Sequence, residues 1–434
     1  MMKTLFTEAV VIDMVDDTTP IQNGNLAIED GIITYVGPAL PVEEQNQYDE
    51  IICCKGKAIL PGFVNTHGHL AMTLLRGYAD DLPLQQWLEN EIWPMEGKMN
   101  AEHVSVGAHL AALEMIQGGT TTFLDMYDNM DAVASVVEQT GLRARLTRGC
   151  IGFGDDELRK SKLEEAASFA KRWNGAAGGR ITTMMAPHSP YTCGPEFIRQ
   201  FVEKAAELSL PIHTHMSETK AEVELNVREY GARPVEHLDQ LGFFDIPSLV
   251  AHAVHLTEEE VELLAKKNVK IAHNPGSNLK LGSGIAPIPQ MIAHGMRPSL
   301  ATDGAASNNN LDLLEEIQLA ALIHKGHLQD PLAVPAKTAL AMGTIYGAEA
   351  LFLDKEIGTL KVGKQADFIT LDLTQAHMQP HTDVVSHIVY SATRSDVQDV
   401  YVQGQPLMIN REMLTIDSEK VIFEANQAFE NLRG

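Results

Sequence analysis

Hydrophobic positions in the central part of the chain follow two rhythms in turn. Short apolar runs at 58–65, 121–126, 144–148, 181–186, 211–214, 248–251, 269–272 and 298–301 have the length and residue types of buried strands. The stretches between them repeat apolar residues at helical spacing. Val106, Leu110 and Leu113 recur at i, i+4 and i+7 behind Asn100, an N-cap candidate, and Gly118-Gly119 stops the run. Thr257 with Glu260 has the spacing of a capping box before Val261 and Leu264, and Pro195 suits the first turn of another helix. Eight strand–helix alternations over roughly 270 residues predict an α/β fold, a (β/α)8 TIM-like barrel. A doubly wound open sheet is the alternative, but no G-x-G-x-x-G follows the first run.

The two ends of the chain change to a period of two. T-L-F-T-E-A-V-V-I-D and N-L-A-I-E-D-G-I-I-T-Y-V-G read as strands, with Asp30-Gly31 a hairpin turn. Near the other end, Q-A-D-F-I-T-L-D-L, S-H-I-V-Y-S-A-T and V-Q-D-V-Y-V-Q-G-Q-P-L-M-I also read as strands, with a turn at Gln403-Gly404 and a closing helix over 417–432. The pattern predicts a small β-sandwich domain assembled from residues 1–58 and 363–434, and a barrel catalytic domain over 59–362.

Composition narrows the partners. Lys and Arg total 33 against 58 Asp and Glu, a formal charge of -25, which disfavours nucleic acid and anionic membranes. No run approaches the ~18 apolar residues of a membrane span, and the first residues lack a signal-peptide pattern. Four cysteines with no C-x-x-C pair read as free thiols of a reducing compartment, so a cytoplasmic protein is expected.

The chemistry sits where the apolar runs end. V-N-T-H-G-H holds His67 and His69, A-P-H-S-P holds His188, I-H-T-H-M-S-E holds His213, His215 and Glu218, V-A-H-A-V-H holds His252 and His255, I-A-H-N-P holds His273, and S-L-A-T-D-G holds Asp303. A parallel barrel gathers the C-terminal ends of its strands on one face. His67 and His69, two apart, point the same way. His215 lies nearer the barrel mouth than His213, which reads as a supporting core histidine. His67, His69, His215 and Asp303 make a donor set for a divalent metal with room for a water. Zinc is expected, and Fe2+ or Mn2+ also suits these donors. Glu218, close to the metal but off it, suits general acid/base work. His252 is placed to hydrogen-bond the nucleophile, and His255 and His273 read as support.

These motifs, with H-N-P-x-S-N-x-K-L, T-D-G-A-A-S-N-N and the late E-I-G-T-L-K-V-G-K-Q-A-D-F, resemble the amidohydrolase superfamily over essentially the whole chain. The resemblance falls in the branch of cytosine, guanine and adenosine-type deaminases and triazine hydrolases. L-R-G-Y-A-D-D-L-P-L-Q-Q-W-L-E-N-E-I-W-P-M-E, A-P-H-S-P-Y-T-C and T-D-G-A-A-S-N-N resemble the 5'-methylthioadenosine/S-adenosylhomocysteine deaminases most. Binuclear relatives carry a carboxylated lysine after strand four; A-P-H-S-P has none, which implies one metal per chain and no organic cofactor.

The resemblance further implies hydrolytic deamination of an adenosine-type nucleoside by a metal-activated hydroxide. Asp303 and His252 would hold the nucleophile, and Glu218 would protonate the purine and then the leaving amine. Glu96 would accept from the ribose hydroxyls, Trp87 would wall the pocket, and Arg148 and His188 would contact the ribose and thioether side. Where some relatives have a second substrate-binding arginine, G-D-D-E-L-R-K-S-K offers Arg159, Lys160 or Lys162 without a clear match. A homo-oligomer, dimer or tetramer, is expected. The rival readings are a guanine or pterin deaminase or triazine chlorohydrolase of the same branch and, more distantly, a non-enzymatic scaffold.

Overall fold

Gly62 divides what the sequence presents as one strand. In the computed structural model, which describes residues 3–15 and 19–434, Lys57–Pro61 pairs antiparallel with Phe368–Asp372 and parallel with Lys3–Val11. Phe63–Asn65 instead turns away to pair with Thr120–Tyr127. A Cβ at position 62 would collide with the Thr121 side chain, so the chain passes this close to its neighbour only as glycine. The run read as 58–65 therefore serves two sheets.

The first of these draws nine strands from both ends of the chain into one hydrogen-bonded sheet. Its core brings together Phe6, Phe368 and Tyr401, with ring centroids 4.5–5.3 Å apart. The turns at Asp30-Gly31 and Gln403-Gly404 both place two successive residues at positive φ (51° and 80°; 52° and 70°), the twist that two-residue hairpins require. S-H-I-V-Y-S-A-T departs from expectation: Val384–Tyr390 is helical. Asp383 caps it by accepting from the Val385 and Ser386 N–H groups, and Ile388 and Val389 are buried against the core. Cap and packing outweigh the strand preference of its β-branched residues.

The second sheet is the barrel. Its strands are β1 (Phe63–Asn65), β2 (Thr120–Tyr127), β3 (Arg143–Cys150), β4 (Ile181–Thr183, continued by Ala186–Pro187), β5 (Ile212–Met216), β6 (Ser248–His252), β7 (Lys270–His273) and β8 (Ser299–Leu300). Neighbours pair in parallel, and both parts of β4 keep one register against β3. A bridge between Met185 and Ile212 joins β4 to β5. Thr66 closes the ring, its N–H and hydroxyl donating to the Leu300 carbonyl at 3.1 and 2.8 Å.

Inside the barrel, Val64, Leu124, Leu249, Ala251, Ala272 and Ala301 are buried with Ala348, Leu351 and Leu353. Such a filled interior leaves chemistry to the strand ends. Among the intervening helices, Ala101–Gln117 carries the Asn100 cap, and Glu258–Lys266 carries the reciprocal Thr257–Glu260 box. Pro195 opens Pro195–Leu208, and Asp417 caps the C-terminal Ser418–Arg433. Among the described residues no helix is long and apolar enough to cross a membrane.

Candidate active site

Three imidazoles at the C-terminal mouth have their tautomers fixed by their neighbours. His69 Nδ1 lies 2.6 Å from the Met126 carbonyl and His215 Nδ1 lies 2.6 Å from the His188 carbonyl. A carbonyl only accepts, so each Nδ1 carries the proton and each Nε2 presents a lone pair. For His67 the same result comes through a second ring. His213 Nδ1 donates to the Leu249 carbonyl at 3.0 Å, which makes His213 Nε2 an acceptor for His67 Nδ1–H at 2.9 Å. His213 thus sits beneath the mouth and orients His67.

The free acceptors converge. His69 Nε2 and His215 Nε2 are 3.4 Å apart, and Asp303 Oδ1 is 3.3 Å from His69 Nε2 and 3.5 Å from His67 Nε2. Asp303 has no freedom to turn away, because its Oδ2 accepts from the hydroxyls of Ser277 at 2.7 Å and Ser307 at 2.9 Å. The buried His67 Nε2 has no hydrogen-bond partner. With the rings neutral these are four acceptors aimed at one another; a proton on His69 Nε2 answers Asp303 alone, whereas a metal cation answers all four. Burial lowers His67 to about 4 and His215 well below its ordinary value. His69 is also lowered by burial, but the hydrogen bond and charge of Asp303 outweigh that and raise it to about 9. Without the cation, then, His69 holds a proton that a metal must displace.

Glu218 and His252 stand beside this cluster. Glu218 Oε2 is 3.6 Å from His252 Nε2, and its Oε1 accepts from the Ser283 hydroxyl at 3.3 Å. Burial raises the Glu218 pKa, which favours a carboxyl able to hold and release a proton. His252 Nδ1 is 2.9 Å from Asn278 Oδ1, which fixes the ring. His67, His215 and His252 also lie close enough to share an ion, so His252 borders the same cluster.

A cavity of about 390 Å³ opens above these groups, lined by His69, His215, Glu218, His252 and Asp303 at its base and by His188, Trp87, Glu96 and Arg148 on its walls. Burial lowers His188 to about 3, so it is a neutral ring, held at Nδ1 by Thr192 Oγ1 at 2.9 Å. Trp87 lies in a short π-helical turn, Trp87–Ile92, and its indole N–H donates to the Ala79 carbonyl at 2.9 Å. It packs with Leu75, Leu88 and Ile92 while facing the cavity.

Glu96 accepts from the Tyr127 hydroxyl at 2.5 Å, and burial raises its pKa. Arg148 is paired with Asp128 at 3.1 Å and Glu165 at 2.9 Å. Of the three basic candidates downstream, Lys162 lines the cavity. Arg159 is turned to the Gly152 and Gly154 carbonyls and Asp156, and Lys160 borders a separate groove. His255 bonds the Ser283 carbonyl at 2.7 Å, and His273 is buried beside His324 away from the cavity.

One important residue escapes the sequence reading. Glu222, buried, accepts from the Ser217 N–H at 2.8 Å and the Glu218 N–H at 2.7 Å, and so fixes the loop that carries Glu218. Its sequence signal is T-x-x-E from Thr219, the spacing of a capping box, but here the glutamate accepts from the two residues before the cap in place of the cap's own N–H.

A closed parallel barrel with three imidazoles, a carboxylate and an acid/base pair at its C-terminal mouth has the features of a metal-dependent hydrolase. A profile of the amidohydrolase family matches residues 58–407, and the chain belongs to that family. It is 51% identical over 415 residues, 95% of this chain and 94% of the relative, to a 5-methylthioadenosine/S-adenosylhomocysteine deaminase of Halalkalibacterium halodurans. A relative of the same description from Moorella thermoacetica is 50% identical over 92% of this chain and 93% of its own length. The structure of an adenosine deaminase from Xanthomonas campestris, determined with bound zinc, superposes with a TM-score of 0.93 at 34% identity, over 100% of this chain and 99% of that one. The protein is therefore an enzyme, a divalent-metal-dependent hydrolase of C–N bonds.

Proposed function

We propose that the protein hydrolytically deaminates 5'-methylthioadenosine and S-adenosylhomocysteine, releasing ammonia and the inosine analogue, with one zinc ion held by His67, His69, His215 and Asp303. The observation that carries the reading is Glu96, a carboxyl on the wall of the cavity whose base is the His/Asp cluster. A ribose diol gives it two hydroxyl donors on adjacent carbons, a pair that a free base or a triazine, which offers N–H groups only, lacks. The relatives' descriptions and the zinc in the 34% identical structure support the substrate and the metal. A single ion is favoured because the end of β4 supplies His188 rather than a lysine.

Bound there, the cation supplies Lewis acidity that brings a water's pKa towards neutrality. The chain's own residues do the rest. Asp303 and His252 orient the attacking water at purine C6 and accept its proton. Glu218, its pKa raised by burial, gives its proton to the ring nitrogen, then takes the proton of the new C6 hydroxyl and passes it to the amine as the C–N bond breaks; the proton held by Asp303 and His252 returns to Glu218. Trp87 and His188 bound the nucleoside, and Arg148 and Lys162, which line the same cavity, are the basic groups that a substituent at the 5' position would meet. A homo-oligomer in the cytoplasm completes the proposal, the latter in keeping with four free cysteines.

The test is ammonia release by zinc-loaded protein from adenosine, methylthioadenosine, S-adenosylhomocysteine and guanine, with chloride release from a chlorotriazine alongside. Turnover of the two thioether nucleosides is expected. Activity on guanine with none on any adenosine derivative overturns the reading.

A further inference from the structure

We infer that Glu316 is a positioning residue for Asp303, acting through the two loops that carry Ser277 and Ser307. Glu316 lies in the first turn of Leu313–Leu328, fully buried, outside the cavity and past the end of the T-D-G-A-A-S-N-N motif. Its Oε2 accepts from the Gly276 N–H at 2.9 Å and its Oε1 from Asn308 Nδ2 at 2.7 Å. Gly276 directly precedes Ser277, and Asn308 directly follows Ser307. Those two serines are the donors that hold Asp303 Oδ2. One buried carboxylate therefore clamps both loops one residue away from the hydroxyls that aim the metal-ligating carboxylate.

Two further observations fit a clamp rather than a chance contact. Asn308 Nδ2 also donates to the Thr302 carbonyl at 2.7 Å, which ties the clamp to the residue next to Asp303 and fixes the amide's orientation. A Cβ at Gly276 would run into both the Glu316 carboxylate and the Asn308 amide, so the loop is shaped around this contact. Both oxygens of Glu316 face donors whose directions are set. A glutamine there must turn an NH2 towards one of them, which breaks one arm of the clamp without changing the volume.

The experiment is a cycle of Glu316→Gln, the pair Ser277→Ala with Ser307→Ala, and all three together. It is read by kcat and KM for methylthioadenosine and by the visible absorption of the cobalt-substituted protein. If the clamp works through the serines, Glu316→Gln lowers kcat about tenfold or more with KM little changed and shifts the cobalt bands as the serine pair does. Adding it to the serine pair then costs less than about a further twofold. An unchanged kcat, an unaltered cobalt spectrum, or a full multiplicative loss in the triple variant each overturns the inference. Should Glu316→Gln not fold, Asn308→Ala removes the other arm and is read against the same outcomes. The kcat arm rests on the proposed substrate, but the cobalt spectrum does not. A normal spectral cycle in a protein inactive on nucleosides counts against that substrate and not against the clamp.

Discussion

Ser217, His252 and Asp303 all hold left-handed backbone, at φ of 53°, 73° and 62°, although none is glycine. Such positions cost energy and persist where the surroundings fix them. Here each lies at or just beyond the end of a barrel strand and redirects the chain so that Glu218, His252 or Asp303 faces the mouth. Of these, Glu218 has the most separable role, since it bonds His252 and Ser283 and, among the described residues, makes no hydrogen bond or ion pair with the three histidines proposed as ligands. Glu218→Gln keeps shape and hydrogen bonding while removing the transferable proton. It should lower kcat by at least about a hundredfold while the zinc content stays at that of the parent protein, measured by ammonia release and atomic absorption. Loss of metal together with activity would make Glu218 a ligand instead.

At the scale of elements, what was legible in the sequence depended on how local the cause was. The Asn100 cap, the Thr257–Glu260 box and the Asp30-Gly31 hairpin are written within a few neighbouring residues, and the structure has each of them. S-H-I-V-Y-S-A-T reads as a strand, yet most of it lies in the helix Val384–Tyr390, because its β-branched residues mask a helix set by Asp383 and by packing against distant elements. The donor histidines and Asp303 stood out by residue type at strand ends. Glu222, Ser277, Ser307 and Glu316 did not, because their work is a hydrogen bond to a group that only the fold brings near. Glu222 also shows how an element is joined to the site: it anchors Lys220–Tyr230 to the loop leaving β5. Glu222→Ala strands two buried N–H groups, each costing about 1–3 kcal/mol. The variant should melt at lower temperature and lose at least about tenfold in kcat, with zinc retained. A melting loss with kcat unchanged would limit Glu222 to stability.

For the molecule as a whole, the buried ionisable groups set how stability responds to pH. Burial raises Glu222 and Glu316, but N–H donors at both oxygens hold each of them as a carboxylate, whereas Asp125, whose Oδ2 has no partner, is raised to about 7. Such an acid keeps its proton in the folded state at pH values where the unfolded chain has released it, so stability falls as pH rises towards the folded value. His69 contributes with the same sign. Burial lowers it, but Asp303 raises it to about 9, so its stabilisation is complete below about 6.5 and is lost as pH rises through 9. The lowered histidines act the other way. His67 at about 4 and His188 at about 3 stay neutral while the unfolded chain takes up protons, which costs stability as pH falls below about 6.5. Between about pH 6.5 and 9 these lowered histidines are neutral in both states, and the raised groups all act in one direction. Metal-free protein should therefore melt at progressively lower temperature across that window in calorimetry. Zinc-loaded protein should show a shallower slope, because the metal replaces the His69 proton and binds better as competing protons leave. A metal-free melting temperature that rises from pH 6.5 to 9 would mean that Asp125 and His69 do not hold their protons in the folded state.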